Sequence, residues 1–323
     1  MRLPLVFVGL VLAGVGNVCA GERPASLDWL EVVAFAGHQT DYSGVFVYQY
    51  DNRVETSNII HVTEANGEYE KLESLDGPQR EIIRHDGQVW DYSNHKTIQV
   101  DSQQGHSRFP SLLPEQLSAL SVNYQAKLLG VERVAGYNAQ AILFQPKDNL
   151  RYAHKIWVHT DSGLLLKAAV LGDKNKLVEQ YAFTQLQIGG KIDRSWVKEY
   201  DSVSLRGKGS PGLAESAKDI SPTHSGWTVD MLPPGFKKTM EILRPMRGKD
   251  SRVTQMVYCD GLSAISIFIE PNDGDDDDVS GLSTRGAVNL YHKVVDRNLI
   301  TVVGEVPPRT VMQVLDSVRY NGK

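Results

Sequence analysis

Residues 44–101 read "GVFVYQYDNRVETSNIIHVTEANGEYEKLESLDGPQREIIRHDGQVWDYSNHKTIQVD". Short β-branched and aromatic runs alternate here with Asp51-Asn52, Asn66-Gly67, Asp76-Gly77, Asp86-Gly87 and Asn94-His95. Asn-Gly and Asp-Gly favour the positive φ of tight hairpin turns, so the stretch predicts an antiparallel meander. A second meander runs from "AKLLGVERV" at 126–134 to "LVEQYAFTQLQI" at 177–188. Between them, "FPSLLPEQLSALSVNY" (109–124) carries two prolines and the apolar spacing of one or two short helices. Upstream, Ser26 is a good N-cap, and Leu27, Leu30, Val33 and Ala34 share a face, which predicts an amphipathic helix over 27–38. So many strands on short turns either split into a sandwich or curl into a barrel, open or closed. The expectation for residues 21–205 is therefore one strongly curved sheet with a few helices on one side, enclosing an apolar space.

The 323 residues begin with one basic residue, Arg2, an apolar run from Leu3 to Val15, and the small-residue exit Val18-Cys19-Ala20. This is the layout of a secretory signal peptide over 1–20. Its removal takes one arginine, moving the net charge from −5 to −6, and leaves Cys259 as the remaining one of two cysteines. An internal disulfide is then excluded. No basic block suggests nucleic acid as a partner, and export lowers every reading that needs ATP or NAD.

"SLRGKGSPGLAESAKDISPTHSG" (204–226) has no apolar period and reads as a linker, assigned to 206–225. Beyond it, residues 226–320 predict a small α+β domain of about five strands and a closing helix. In that helix Thr310 is read as the cap, with Val311, Val314, Leu315 and Val318 on one face.

Each chemical motif has a plainer alternative. Gly207, Gly209 and Gly212 form a G-x-G-x-x-G, but Pro211 and the polar run after it fit a linker rather than a strand–helix dinucleotide site. Cys259 would need a base such as His224 or His292 and a lowered pKa to act as a nucleophile; a small buried hydrophobe at the start of a strand fits better. Asp273, Asp275, Asp276, Asp277 and Asp278 lack the ligand alternation of a calcium loop and read as a solvated turn, with Ca²⁺ binding left open. His154 and His159 lie five apart on a strand, so they point to opposite faces and share no ion without a bulge. No catalytic residue, metal site or cofactor is assigned. What remains is aromatic: Phe46, Tyr48, Trp90, Tyr92, Trp157, Tyr181, Phe183 and Trp196 are candidates for lining a lipid pocket, with ordinary core packing as the alternative.

Six blocks resemble the RseB/MucB family of envelope-stress regulators: "DYSGVFVYQY" (41–50), "LESLDGPQREIIR" (72–84), the run 130–171 opening "GVERVAGYNAQ", "WTVDMLPPGF" (227–236), "VYCDGLSAISIFIEP" (257–271) and "LITVVGEVPPRTVMQVLDSV" (299–318). The resemblance implies an α+β protein. Its large domain would be an unclosed antiparallel β-barrel covered by helices, similar to the lipoprotein carriers LolA and LolB. It further implies a periplasmic, non-enzymatic protein. Such a protein binds the periplasmic part of a membrane anti-sigma factor of RseA/MucA type, shields it from site-1 proteolysis, and releases it on a lipid, lipopolysaccharide or acylated signal. In the family a serine commonly stands where this chain has Cys259. A lipid or lipoprotein carrier without signalling role is the other reading. The ligand's identity, homo-oligomerisation and the partner-binding face of the small domain stay open.

Overall fold

Alternation in β1 (Tyr42–Tyr50) sends Tyr42, Phe46, Tyr48 and Tyr50 to one face and Ser43, Val45, Val47 and Gln49 to the other, with Tyr42, Phe46 and Tyr50 buried. The chain reverses at Asp51, whose φ of 48° meets the tight-turn demand, and Tyr50 pairs with Arg53 at the start of β2 (Arg53–Glu64). The meander continues through β3 (Gly67–Ser74), β4 (Arg80–His85), β5 (Gln88–Ser93) and β6 (Lys96–Val100). The second meander comprises β7 (Tyr124–Val134), β8 (Tyr137–Pro146), β9 (Ala153–His159), β10 (Leu165–Leu171) and β11 (Leu177–Ile188). In this computed structural model, residues 27–85, 88–93, 96–100, 109–113, 120–198, 221–245, 252–272 and 280–322 are described. The expected signal peptide, the linker up to residue 220, its glycine motif and the Asp273–Asp278 loop lie outside them.

Pairing of β1 with β11 joins the two meanders into one eleven-stranded antiparallel sheet, ordered β6-β5-β4-β3-β2-β1-β11-β10-β9-β8-β7. Its end strands β6 and β7 do not pair with each other, so the sheet is not closed into a barrel. Helix α1 (Leu27–Gln39) puts Val33 and Ala34 into the same core as Tyr42, Phe46, Ile59, Phe144 and Ile156. A second helix, α2 (Leu120–Asn123), leads into β7. The other face of the first meander has its own cluster, in which Ile192, Trp196 and Val197 cover Val62, Tyr69 and Ile83.

The rest of the described chain forms a seven-stranded antiparallel sheet, ordered β12-β14-β15-β16-β19-β18-β17. Its strands are β12 (Ser221–Pro222), β14 (Lys237–Pro245), β15 (Arg252–Cys259), β16 (Ala264–Pro271), β17 (Ser280–Arg285), β18 (Val288–Val295) and β19 (Asn298–Gly304). A separate pair joins β13 (Trp227–Val229) to β20 (Val318–Tyr320). Helix α3 (Pro308–Asp316) buries Val311, Val314 and Leu315 against Met256, Ile265, Ile267, Ile300 and Val302. The strand number exceeds the expected five because β12, β13 and β20, two or three residues each, are too short to show a period.

Three local expectations are corrected. Pro307 flanks α3 and Pro308 opens it, while Thr310 lies inside the first turn, its hydroxyl donating to Leu150 O at 2.8 Å rather than capping the helix. Pro308 has no N–H to satisfy, and the Thr310 N–H donates to Pro307 O at 2.8 Å, so a backbone carbonyl stands where a side-chain cap was expected. Val318 shares the core but belongs to β20, beyond the helix. Cys259 ends β15 instead of beginning a strand: Asp260 Oδ1 accepts N–H bonds from Leu262 and Ser263 at 3.0 and 2.8 Å, so the carboxylate folds 260–263 into a turn.

Candidate functional site

A cavity of about 490 Å³ lies between the concave face of the large sheet and the small domain. That volume is within the range of small-molecule sites. Phe46 and Tyr48 of β1 and Tyr181 of β11 form one wall, placed there by the register Phe46↔Phe183 and Tyr48↔Tyr181. The Tyr48 and Tyr181 rings stack at 4.3 Å, and Phe109 stacks on Tyr181 at 5.6 Å. Leu112, Leu113, Ile156, Ala168 and Ile82 extend the apolar surface. The small domain contributes Cys259, the 261–264 turn, Ala287 and Glu305.

The remaining sequence candidates lie elsewhere. Phe183 is buried behind Phe46, edge-on at 6.0 Å. Trp90 is paired with Ile83, not with cavity-lining Ile82, and joins Tyr92 and Trp196 in the cluster on the other face. Trp157 has the opposite parity to Ile156; its Nε1 donates to Glu132 at 2.8 Å, and the Lys155 and Lys167 ammonium groups sit 4.4 and 4.6 Å from its ring centre. His154 lines the cavity while His159 hydrogen-bonds Ser162, so the two point apart as their spacing required.

Polar contacts hold the small domain on the large one. Arg151 and Asp260 form an ion pair at 2.6 Å with both side chains fully buried, and Asp260 also accepts from Tyr124 OH at 3.0 Å. Arg151 donates a further bond to Pro234 O at 2.6 Å. Glu179 accepts from Tyr48 OH at 2.9 Å and, across the interface, from Ala287 N–H at 2.8 Å. Asn289 donates to Tyr152 OH at 3.1 Å. Leu262 leaves the small domain to pack on the large core. Two glycines permit this approach: a Cβ on Gly235 would overlap Asn123, and one on Gly286 would overlap Glu179, both at positive φ.

Burial sets the protonation states. Glu305 is pushed up to about 7 by burial, then by the charges of Glu179 and Asp260. Burial also raises Glu179, against the lowering effect of its two hydrogen bonds. His154 is lowered to about 4 by burial and is a neutral imidazole. Burial raises the Cys259 thiol as well, the opposite of what a nucleophile needs, and neither His224 nor His292 lines the cavity. Among the described residues no three His, Cys, Asp or Glu side chains gather as metal ligands. Sequence reading missed Glu179 although a signal existed: it is the one charged residue of β11 and shares a face with Tyr181. Glu305 and Arg151 gave none, since "GEVPP" and "DNLRY" read as loops.

Two β domains that jointly wall an apolar cleft and are locked by buried polar contacts define a ligand- or partner-binding protein. The chain belongs to the MucB/RseB family: its N-terminal domain family matches residues 25–200 and its C-terminal domain family matches 221–319. It is 32% identical to the "Sigma factor AlgU regulatory protein MucB" of Pseudomonas aeruginosa, covering 96% of both chains. It is 27% identical to the "Sigma-E factor regulatory protein RseB" of Haemophilus influenzae, covering 99% of both. Among solved structures, MucB in complex with MucA(peri) matches with TM-score 0.72 and 29% identity, over 92% of this chain and 99% of that one. MucB crystallised alone matches with TM-score 0.62 at 29% identity, over 92% of this chain and 100% of that one.

Proposed function

We propose that this chain is a periplasmic negative regulator of an envelope-stress sigma factor, exported by its N-terminal signal peptide. It binds the periplasmic domain of a membrane anti-sigma factor, shields that domain from site-1 proteolysis, and lets go when a lipid or acylated ligand enters the interdomain cavity. The observation that carries the reading is the family match over both domains, to relatives named as sigma-factor regulators and to a MucB held with MucA(peri). The fold match to MucB held with MucA(peri), at TM-score 0.72 over 92% of this chain, supports it. The aromatic wall, with α1 and Phe109 packed over the concave face, supports an acyl chain as the ligand.

The test is limited proteolysis of a cognate anti-sigma periplasmic domain with and without the mature protein. Protection that is lost on adding an acylated ligand is the expected result. Cleavage at the same rate with and without the protein sinks the regulator reading.

A further inference from the structure

The cavity is not symmetric in its polar chemistry. Its arginines are committed: Arg80 binds Asp91 at 2.6 Å, and Arg84 pairs with Glu70. Glu55 accepts from Tyr50 OH at 2.8 Å, and Glu179 is taken by Tyr48 and Ala287. Glu305 also lines the cavity, and no hydrogen bond or cation holds its carboxyl among the described residues. His154 lines the same cavity with its Nε2 buried and without a hydrogen-bond partner. The His154 ring lies 6.1 Å from that of Tyr124, whose hydroxyl binds Asp260, and Glu305 N–H bonds Ala264 O at 3.1 Å beside the 260–263 turn, which places both toward the interdomain end.

The charges that raise Glu305 are those of Glu179 on β11 and Asp260 in the β15–β16 turn, while burial keeps the nearby Tyr181 hydroxyl and Cys259 thiol protonated and neutral. Asp260 alone is neutralised, by Arg151. Ionised carboxylates only accept hydrogen bonds, and a neutral imidazole offers one acceptor nitrogen beside its one N–H; the other donors at this end, the Ser263 and Tyr181 hydroxyls and the Cys259 thiol, are neutral, so the charge left without an ion partner here is negative. An incoming phosphate or carboxylate adds a like charge there at low dielectric; an ammonium group satisfies the acceptors and offsets the repulsion.

Resting on the lipid reading above, we propose that the interdomain end of the cavity is a headgroup site for an amine-bearing amphiphile, whose ammonium is accepted by Glu305 and His154 while its chain lies against Tyr48, Tyr181 and Phe46. The order of preference for a fixed chain is amine, then alcohol, then phosphate.

The experiment is calorimetric titration of the mature protein with decylamine, decanol and decyl phosphate, each below its micelle-forming concentration. At about pH 8, where Glu305 is ionised, the amine is expected to bind about tenfold more tightly than the phosphate. Near pH 5 the amine's advantage over the alcohol shrinks as the carboxyl takes up its proton, a readout that needs no substitution. Glu305→Gln is expected to abolish the amine's advantage while leaving decanol affinity unchanged, which also reports that the variant is folded. Phosphate binding as tightly as amine, or an amine-to-alcohol ratio that neither pH nor Glu305→Gln alters, overturns the headgroup site and leaves the lipid reading standing. If none of the three binds, both are overturned.

Discussion

Glu305 links the site to stability at the level of a single residue. Its carboxyl titrates near 7 when folded, above the ordinary carboxylate range, because burial and the neighbouring Glu179 and Asp260 penalise the charge. The folded state therefore holds a proton that the unfolded chain gives up. The associated stability is fully present below the ordinary carboxylate pKa, declines as pH rises toward 7, and is absent above it. A displacement of this size corresponds to at most about 3–4 kcal/mol, less where cavity water screens the group. Glu305→Gln, a neutral isostere, is expected to match the unsubstituted protein in urea unfolding near pH 4 and exceed it by about 1–3 kcal/mol near pH 8. Equal pH slopes for the two proteins would refute the assignment. Parity explains which residues were legible at this scale. Phe46, Tyr48 and Tyr181 reach the cavity because period two puts them there. Trp90 and Trp157 were equally visible as aromatics, but which face of the curved sheet is concave depends on pairings such as Ile83↔Trp90 that hydrophobicity alone does not encode. Tyr181→Ala is accordingly expected to weaken binding of an acylated probe severalfold, with Trp157→Ala leaving it unchanged, in a fluorescence titration of both variants.

At the scale of elements, two turns decide how the domains meet. The 260–263 turn uses one carboxylate twice: Oδ1 shapes the backbone and Oδ2 receives Arg151 and Tyr124. Asp260→Asn keeps an acceptor for the turn but leaves the buried Arg151 with only Asp148, a partly exposed carboxylate at 3.1 Å, as its ion partner; complete loss of one partner of a buried pair costs about 3–5 kcal/mol, and Asp148 holds the cost to the lower end of that range. Thermal unfolding is expected to fall sharply, and separation of one transition into two would locate the loss at the interface. The 285–288 turn is governed by sterics. Gly286 has a φ of 57° and lies against Glu179, so Gly286→Ala is expected to push Ala287 N–H away from its acceptor and loosen the domains with the small core intact. Hydrogen exchange confined to 285–289 and Glu179 checks this; protection equal to the unsubstituted chain contradicts it. Hairpin turns and strand runs of the large sheet were legible because Asn-Gly and Asp-Gly act locally. The 260–263 turn carried the same signal in Asp260-Gly261, with Gly261 at a φ of 103°, and was passed over for the apolar run behind it; what no local pattern encodes is that Asp260 also takes Arg151, 109 residues away in the chain.

For the whole molecule, the decisive fact is that one cavity has walls from both domains. A ligand that entered a cleft within the large sheet alone would leave the partner's surface untouched. Here it fills the space that Glu179, Ala287 and the 261–264 turn close, so it bears on the relative position of the domains. A partner that spans both domains reads the same coordinate, and binding of one then depends on the other. Linkage makes this quantitative: a coupling of about 1–3 kcal/mol changes affinity about 5- to 150-fold, and the factor is the same in both directions. Saturating acylated ligand is therefore expected to weaken binding of the anti-sigma periplasmic domain by a factor in that range, measured by fluorescence anisotropy. Saturating anti-sigma domain must weaken the acylated ligand by the same factor, measured by calorimetry on the same protein. Gly286→Ala, whose added Cβ presses on Glu179 and on the Tyr48 hydroxyl where the domains meet, is expected to shrink both factors together. A ligand effect on the partner that survives in that variant at full size would mean that the coupling runs through direct overlap of the two binders and not through the domain interface.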